Sequence, residues 1–247
     1  MDLNGKVAWI SGGSRMGMAV ARVLAGQGCR IALSYRQSRR SAEEIVRQLM
    51  LKGHEAMAFR CDLTQKGQIE KTARAIAQHY RRLDILVNLS SIYEKASVSN
   101  ARLAGRAWQN HLKTNAESAY SLSVAVAPWM NRAGAGRIVH ISDWTSRSGR
   151  PRYKEYTAYY VSKAAIQAVT EAMALELAPT ILVNAIAPGP ILPPKGMGTP
   201  DSHAVIKATP LARWGGPEEI AKAVLFLVQT DFVTGETIRV DGGRHLY

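Results

Sequence analysis

Val7-Ala8-Trp9-Ile10, followed by Ser11-Gly12-Gly13-Ser14-Arg15-Met16-Gly17, decides how this chain folds. The first four residues are apolar without alternation, the pattern of a strand covered on both faces. A helical run rich in alanine follows over residues 16–25, with Gly26 and Gly28 near its stop. A glycine-bearing turn between a strand and a helix lets a phosphate approach the backbone, where the helix N-terminus offers N–H groups and a positive dipole end. Gly-Gly-Ser is also an ordinary turn. Its position after the first strand selects the dinucleotide reading, with Gly12, Ser14, Arg15, Met16 and Gly17 as candidate pyrophosphate contacts.

Outward from this turn, short β-branched runs alternate with longer amphipathic stretches. Strands are predicted at 31–35, 56–60, 85–88, 137–141, 181–187 and 237–240, and helices at 41–52, 68–80, 112–130, 157–177 and 217–228. Such alternation implies parallel pairing through crossovers. The expected fold is therefore α/β: a Rossmann-type doubly wound parallel sheet with helices on both faces. No linker, repeat or low-complexity stretch interrupts the 247 residues, so a single domain over 1–247 is expected.

Apolar residues make up 47% and charged residues 21%, which excludes disorder as the main state. No apolar run approaches the ~20 residues of a membrane span. The first residues carry no leader pattern, and Cys29 and Cys61 are too few for a disulfide framework and too far apart for a local metal knuckle. These features predict a cytoplasmic protein without a metal site or membrane partner. The formal charge of +13 raises nucleic acid as a partner. The basic residues are scattered, however, with local groups at Arg36/Arg39/Arg40, Arg81/Arg82 and Arg147/Arg150/Arg152/Lys154, and no nucleic-acid motif accompanies them. A solvated basic surface is the expected reading.

NAD-binding sheets usually end their second strand in an Asp or Glu that accepts from the ribose. This chain instead has Tyr35-Arg36-Gln37-Ser38-Arg39-Arg40, whose hydroxyls and guanidinium groups suit a 2′-phosphate. NADPH is the predicted coenzyme. Further along, Tyr159 and Lys163 stand four apart in a helical pattern and share one face. An ammonium beside a phenol favours phenolate, so the pair predicts a lowered tyrosine pKa and a group able to move protons.

With these residues in hand, the sequence resembles the short-chain dehydrogenase/reductase family over essentially its whole length. The landmarks come in the family's order: the glycine loop, Asp62-Leu63, Asn88, Asn115, Tyr159/Lys163, Pro188-Gly189, Val233-Thr234-Gly235 and Asp241-Gly242-Gly243. The resemblance implies that Asp62 and Leu63 flank the adenine, that Asn115 supports a proton-relay water, and that Lys163 binds the nicotinamide ribose. It also implies a homotetramer built from the helices at 112–130 and 157–177.

Two departures narrow the resemblance. The family's catalytic serine position is Asp143 in Ile141-Ser142-Asp143, and its usual Asn-Asn-Ala-Gly is replaced by Asn88-Leu89-Ser90-Ser91-Ile92-Tyr93. Both changes resemble pteridine reductases and dihydromonapterin/dihydrofolate reductases. That likeness implies a pterin or folate C=N bond as substrate, with Tyr159, supported by Asp143 and Lys163, as proton donor and with Ser90 and Arg15 on the pterin edge. The stacking aromatic of that subgroup aligns with Ile92, leaving stacking to Tyr93, Trp144 or the nicotinamide. Ser142 is the other candidate for the ordinary serine role, and a 3-oxoacyl-thioester carbonyl reductase is the alternative activity. A silent NADPH-binding protein is a third reading, disfavoured by Asn115, Tyr159 and Lys163. The Asp143–Tyr159 segment is three residues longer than usual, and its Arg147, Arg150, Arg152 and Lys154 read as a solvated loop or, as the sharper hypothesis, as a basic rim for an anionic substrate tail. Residues 190–200, with Lys195 and Met197, are expected to form a substrate lid.

Overall fold

A computed structural model describes residues 1–12, 14–194 and 196–246; Gly13 of the glycine loop and Lys195 of the expected lid lie outside them. Seven strands form one parallel sheet: β1 (Val7–Ser11), β2 (Arg30–Tyr35), β3 (Ala56–Arg60), β4 (Ile85–Asn88), β5 (Gly136–Ile141), β6 (Ile181–Pro188) and β7 (Thr237–Val240). They lie in the order β3-β2-β1-β4-β5-β6-β7. The direction of progression reverses at β1, which pairs with both β2 and β4. In such a sheet the crevice opens at the carboxyl ends of the strands beside this reversal.

The continuous apolar strands are explained by burial on two sides. Ala8, Ile10, Ile85 and Val87 pack with residues of α1 (Ser14–Gly26), α2 (Arg39–Met50) and α9 (Pro217–Gln229). Val7, Trp9 and Leu86, one residue out of phase, pack with α3 (Lys66–Tyr80), α5 (Ser118–Arg132) and α7 (Thr157–Leu177). Neighbours along a strand thus face opposite layers, and neither can be polar. Several polar groups that enter are paired: Trp9 Nε1 donates to Ser34 Oγ at 2.9 Å, and the Asp84 carboxylate accepts from Val7 N–H and from Arg82.

Each predicted strand and helix is found, with ends moved by a few residues. Three helices were not expected: α4 (Ala101–His111), α6 (Trp144–Arg147) and α8 (Thr199–Lys207). α4 begins at Asn100, whose side chain accepts from Leu103 N–H. It runs without a break into the helix predicted at 112–130, whose first turn, Leu112–Glu117, is π-helical. The stretch expected as a lid is only partly irregular, because α8 begins at Thr199 with Pro200 in its first turn.

His140 on β5 is fully buried, and burial, helped by the nearby Lys163 charge, lowers its pKa to about 4. Below its ordinary value of 6.5 the unfolded chain takes up a proton that the native state refuses. Stability should therefore fall as pH drops from about 6.5 to about 4, by roughly 3 kcal/mol from this group. Urea unfolding across that range checks this, and His140→Gln should remove that part of the slope.

Candidate active site

The glycine turn leaves β1 through Gly12, whose φ of +73° is a left-handed conformation that favours glycine. A Cβ there would lie 2.4 Å from Ser90 Oγ and 3.0 Å from Ser90 Cα, so the loop after β4 closes directly on the turn. Ser11 Oγ donates to Asn88 Oδ1 at 2.7 Å, and the same oxygen accepts from Ser90 N–H. Asn88 therefore ties the ends of the two central strands together. Gly17 in α1 faces back, where a Cβ would lie 2.9 Å from Gly12 O. Arg15 and Met16 point on to the catalytic cleft.

Beside the turn, a hollow of about 190 Å³ is lined by Gly12, Tyr35, Arg36, Ser38 and Ser41 among others, and no carboxylate is among the described residues that line it. Ser38 precedes α2 without capping it through its side chain. Asp62 follows β3. Partial burial pushes its carboxyl up, but bonds from Thr64 N–H and hydroxyl, with the Arg36 and Lys113 charges, bring it below its ordinary value. Leu63 beside it is buried. A close-approach glycine, a basic hollow without an acid and a helix N-terminus fit a dinucleotide carrying an extra phosphate.

The catalytic cleft, about 520 Å³, brings together Asp143, Tyr159 and Lys163 with Arg15, Tyr93, Trp144, Pro188 and Gly189. Ser91 lines it, whereas Ser90, expected on the substrate edge, sits against Gly12 instead. Gly189 is required by crowding: a Cβ there would lie 2.5 Å from Asp241 Cβ. Met197 and Leu192 of the expected lid segment and Val205 of α8 line the far side.

Asp143 ends the fifth strand's extension and caps α6. Its Oδ1 accepts from Thr145 N–H at 2.8 Å and from Thr145 Oγ1 at 2.5 Å, while its Oδ2 accepts from Tyr159 OH at 2.9 Å. One oxygen is anchored and the other is aimed. Ser142 is not placed for the serine role, because its hydroxyl donates to Lys163 O and accepts from Gln167.

The expected lowering of the Tyr159 pKa does not occur. Burial and then the Asp143 carboxylate hold the phenol well above its ordinary value. Lys163 is itself buried, which lowers its pKa to about 8, and its Nζ donates to Ile141 O at 2.8 Å. Its Nζ lies 5.7 Å from the Tyr159 ring centroid. A carboxylate in direct contact outweighs that more distant cation.

Asn115, within the π-helical turn, is fully buried and spends its amide on structure. It accepts from Ile92 N–H and donates to Ile92 O and Ser162 Oγ, tying the loop after β4 to α7. Three aromatic groups near Tyr159 went unread in the sequence, Tyr153, Tyr156 and His111, whereas Tyr93 was a candidate there. Tyr93 packs edge-on against Tyr159 and stacks on Tyr156 at 4.4 Å, with Tyr153 next to Tyr156. His111 faces Tyr159 from α4; its Nε2 accepts from Glu94 N–H, so Nδ1 is the nitrogen that donates to Ala107 O. Periodicity gave no signal for these contacts, which tertiary packing creates.

Replacing Asp143 with Asn should lower the Tyr159 pKa toward the ordinary phenol value, because the variant removes the charge that disfavours phenolate. Carbon-13 tyrosine NMR, with Tyr159→Phe to assign the resonance, measures this; an unchanged titration would show that burial alone sets it.

Comparison with known proteins agrees with this geometry. Residues 12–245 match the family model described as Enoyl-(Acyl carrier protein) reductase. A 3-oxoacyl-[acyl-carrier-protein] reductase of Synechocystis is 30% identical over 251 residues, covering 99% of both chains. Among solved structures, a short-chain dehydrogenase/reductase from Serratia marcescens superposes with a TM-score of 0.91 at 30% identity, over 99% of this chain and 100% of that one. An actinorhodin polyketide ketoreductase solved with NADPH gives 0.89 at 26% identity over 98% of each chain. The Synechocystis and actinorhodin relatives are named as a 3-oxoacyl reductase and a ketoreductase, not as pteridine reductases, so they favour the carbonyl-reducing reading over the pterin one. The sheet, the Tyr159/Lys163 pair and the match over nearly the full length together make this chain a member of the short-chain dehydrogenase/reductase family, an NAD(P)-dependent oxidoreductase.

Proposed function

We propose that the protein is an NADPH-dependent reductase in which Tyr159 supplies the proton, and that its substrate is a 3-oxoacyl thioester or a related ketone. The observation that carries the reaction type is the Tyr159 phenol held protonated by burial and by Asp143, beside buried Lys163, in a cleft next to the dinucleotide hollow. The relatives' activities support the ketone.

The turn formed by Gly12, Ser14, Arg15, Met16 and Gly17 would hold the pyrophosphate. Tyr35, Arg36 and Ser38 would take the 2′-phosphate, and Asp62 and Leu63 the adenine. Asn88, Ser90, Lys163, Pro188 and Gly189 would bound the nicotinamide half. When bound, the coenzyme supplies hydride. Tyr159 then has to protonate the oxygen or nitrogen that gains an electron pair. An alkoxide is far more basic than phenolate, so a phenol of raised pKa still donates downhill. Phenolate next to a carboxylate is unfavourable, so Tyr159 regains a proton readily. Trp214, Leu192 and Met197 give the cleft apolar walls that exclude water. The enzyme works in a reducing cytoplasm, where buried Cys29 and Cys61 stay thiols, as a homotetramer joined through α5 and α7.

A pterin or folate is the second reading, and Asp143 favours it. A carboxylate repels a ketone oxygen unless protonated, whereas it accepts from the N–H groups of a pterin.

Steady-state NADPH oxidation with an acetoacetyl thioester and with dihydrobiopterin separates the two. Thioester turnover that survives Asp143→Ser supports the first reading; pterin turnover lost in that variant supports the second. Tyr159→Phe should lower kcat by at least ~10²-fold on either substrate. For the coenzyme, Arg36→Asp should raise the NADPH KM about tenfold or more and reverse the preference toward NADH. Equal NADPH and NADH kinetics in the wild type would overturn that assignment.

A further inference from the structure

The loop after β4 is gripped from the helical side at two backbone positions. Asn115 binds both the N–H and the carbonyl of Ile92, at 2.9 and 3.2 Å. His111, four residues earlier on α4, accepts from Glu94 N–H at 3.2 Å. Tyr93, between them, therefore has its backbone fixed on each side. From the insertion, Glu155 accepts Ala96 N–H on its carbonyl at 2.8 Å and pairs its carboxylate with Lys95 Nζ at 2.7 Å. It does so at a φ of +68°, a left-handed conformation that persists in a non-glycine residue only where the surroundings impose it. Residues 92–96 are thus a clamped wall of the cleft.

The ring of Tyr93 lies edge-on against that of Tyr159, with centroids 4.7 Å apart, and its face stacks on Tyr156. His111 reaches the same phenol directly, its ring meeting that of Tyr159 edge-on at 6.2 Å. Two rings flank Tyr159, and one imidazole both supplies the second and holds the backbone beside the first. His111 is fully buried, and each of its nitrogens has a task. Nδ1 donates to Ala107 O at 2.8 Å, which anchors the ring to its own helix and leaves Nε2 free to accept from the loop. The neutral imidazole in this tautomer does both. A second proton would set N–H against N–H at Glu94, and an aliphatic side chain of similar bulk would leave the Glu94 N–H without this acceptor.

We infer that His111 is a positioning residue for proton transfer: by holding Glu94 N–H it keeps Tyr93 against Tyr159 and so fixes the phenol that Asp143 grips by its hydroxyl. A ring held through its oxygen alone can still tilt, and contacts at the ring itself remove that freedom. Misplacement of a reacting group by about 1 Å can cost on the order of 10²-fold in rate. The inference rests on the reading of Tyr159 as proton donor and adds the group that places it.

Two variants separate the acceptor from the bulk. His111→Leu fills the space without accepting, whereas His111→Gln restores an acceptor at about the reach of Nε2. With an acetoacetyl thioester, His111→Leu should lower kcat about tenfold, and His111→Gln should stay within about threefold of wild type. The NADPH KM should change less than about twofold in either variant. The solvent deuterium isotope effect on kcat should rise in His111→Leu, because the proton then crosses a longer gap. A lower kcat at an unchanged isotope effect would mean only a smaller folded fraction and would overturn the inference, as would equal kinetics in the two variants. Tyr93→Ala, at a half-exposed ring, should reproduce the loss, and adding it to His111→Leu should cost less than about twofold more. Fully additive losses would show that the two residues act separately. Nuclear Overhauser contacts between the Tyr93 and Tyr159 rings, in tyrosine-labelled protein saturated with NADP⁺, read the placement without turnover. They should be present in wild type and His111→Gln and lost in His111→Leu; their persistence in His111→Leu would overturn the inference. If the contacts behave as expected while wild type reduces neither the thioester nor dihydrobiopterin, the placement stands and the reductase reading fails.

Discussion

A parallel strand that pairs with neighbours on both sides has no free edge, and its connections must leave from one end. β1 is in that position, between β2 and β4, and its carboxyl end is held to that of β4 by the Ser11–Asn88 hydrogen bond. Everything chemical in this protein follows from that end. The glycine turn begins there, the loop after β4 folds onto it, and the extension of β5 sets Asp143 across the same crevice. Burial on both faces makes the arrangement rigid, since every residue of the central strands β1, β4 and β5 is buried.

Within that frame the site is governed by how one carboxylate divides its two oxygens. Had Asp143 only capped α6, it would be a local device of the kind common before short helices. Had it only met Tyr159, its orientation would be loose. Because Thr145 immobilises one oxygen, the other is fixed toward the phenol, and the charge is applied where it alters proton affinity. Lys163, by contrast, is tied to a backbone carbonyl and holds its positive charge at the cost of burial.

The sheet was legible because two-sided burial writes unbroken apolar runs, as at Val7-Ala8-Trp9-Ile10 and Ile85-Leu86-Val87. The missed helices lack that signature. In α4, Gly105 and exposed Leu103 and Trp108 blur the period, and α6 is four residues held by a cap. α8 starts inside a proline-rich stretch and buries none of its residues. At the site, Tyr159 and Lys163 were readable from their spacing, and Asp143 from its departure from the family pattern. The sign of the Tyr159 shift was not, because proximity in sequence says nothing of desolvation or of which charge lies in contact. Likewise, the run of cations after Asp143 could be counted but not divided into Arg147, which fastens the fold, and Arg152, which faces Trp144.

The π-helical turn at Leu112–Glu117 has a consequence in genetic terms. A π turn accommodates one residue more than an α turn over the same length, so it behaves as a tolerated single-codon insertion within an otherwise continuous helix. Losing one codon there would let α4 and α5 fuse into regular α-helix, with their hydrogen bonds intact. Residues on either side of the lesion would keep their faces, because the turn had absorbed the extra residue, but Asn115, inside it, would leave Ile92 and Ser162. An in-frame deletion at this point would spare the helix and cut the tie between the loop after β4 and α7.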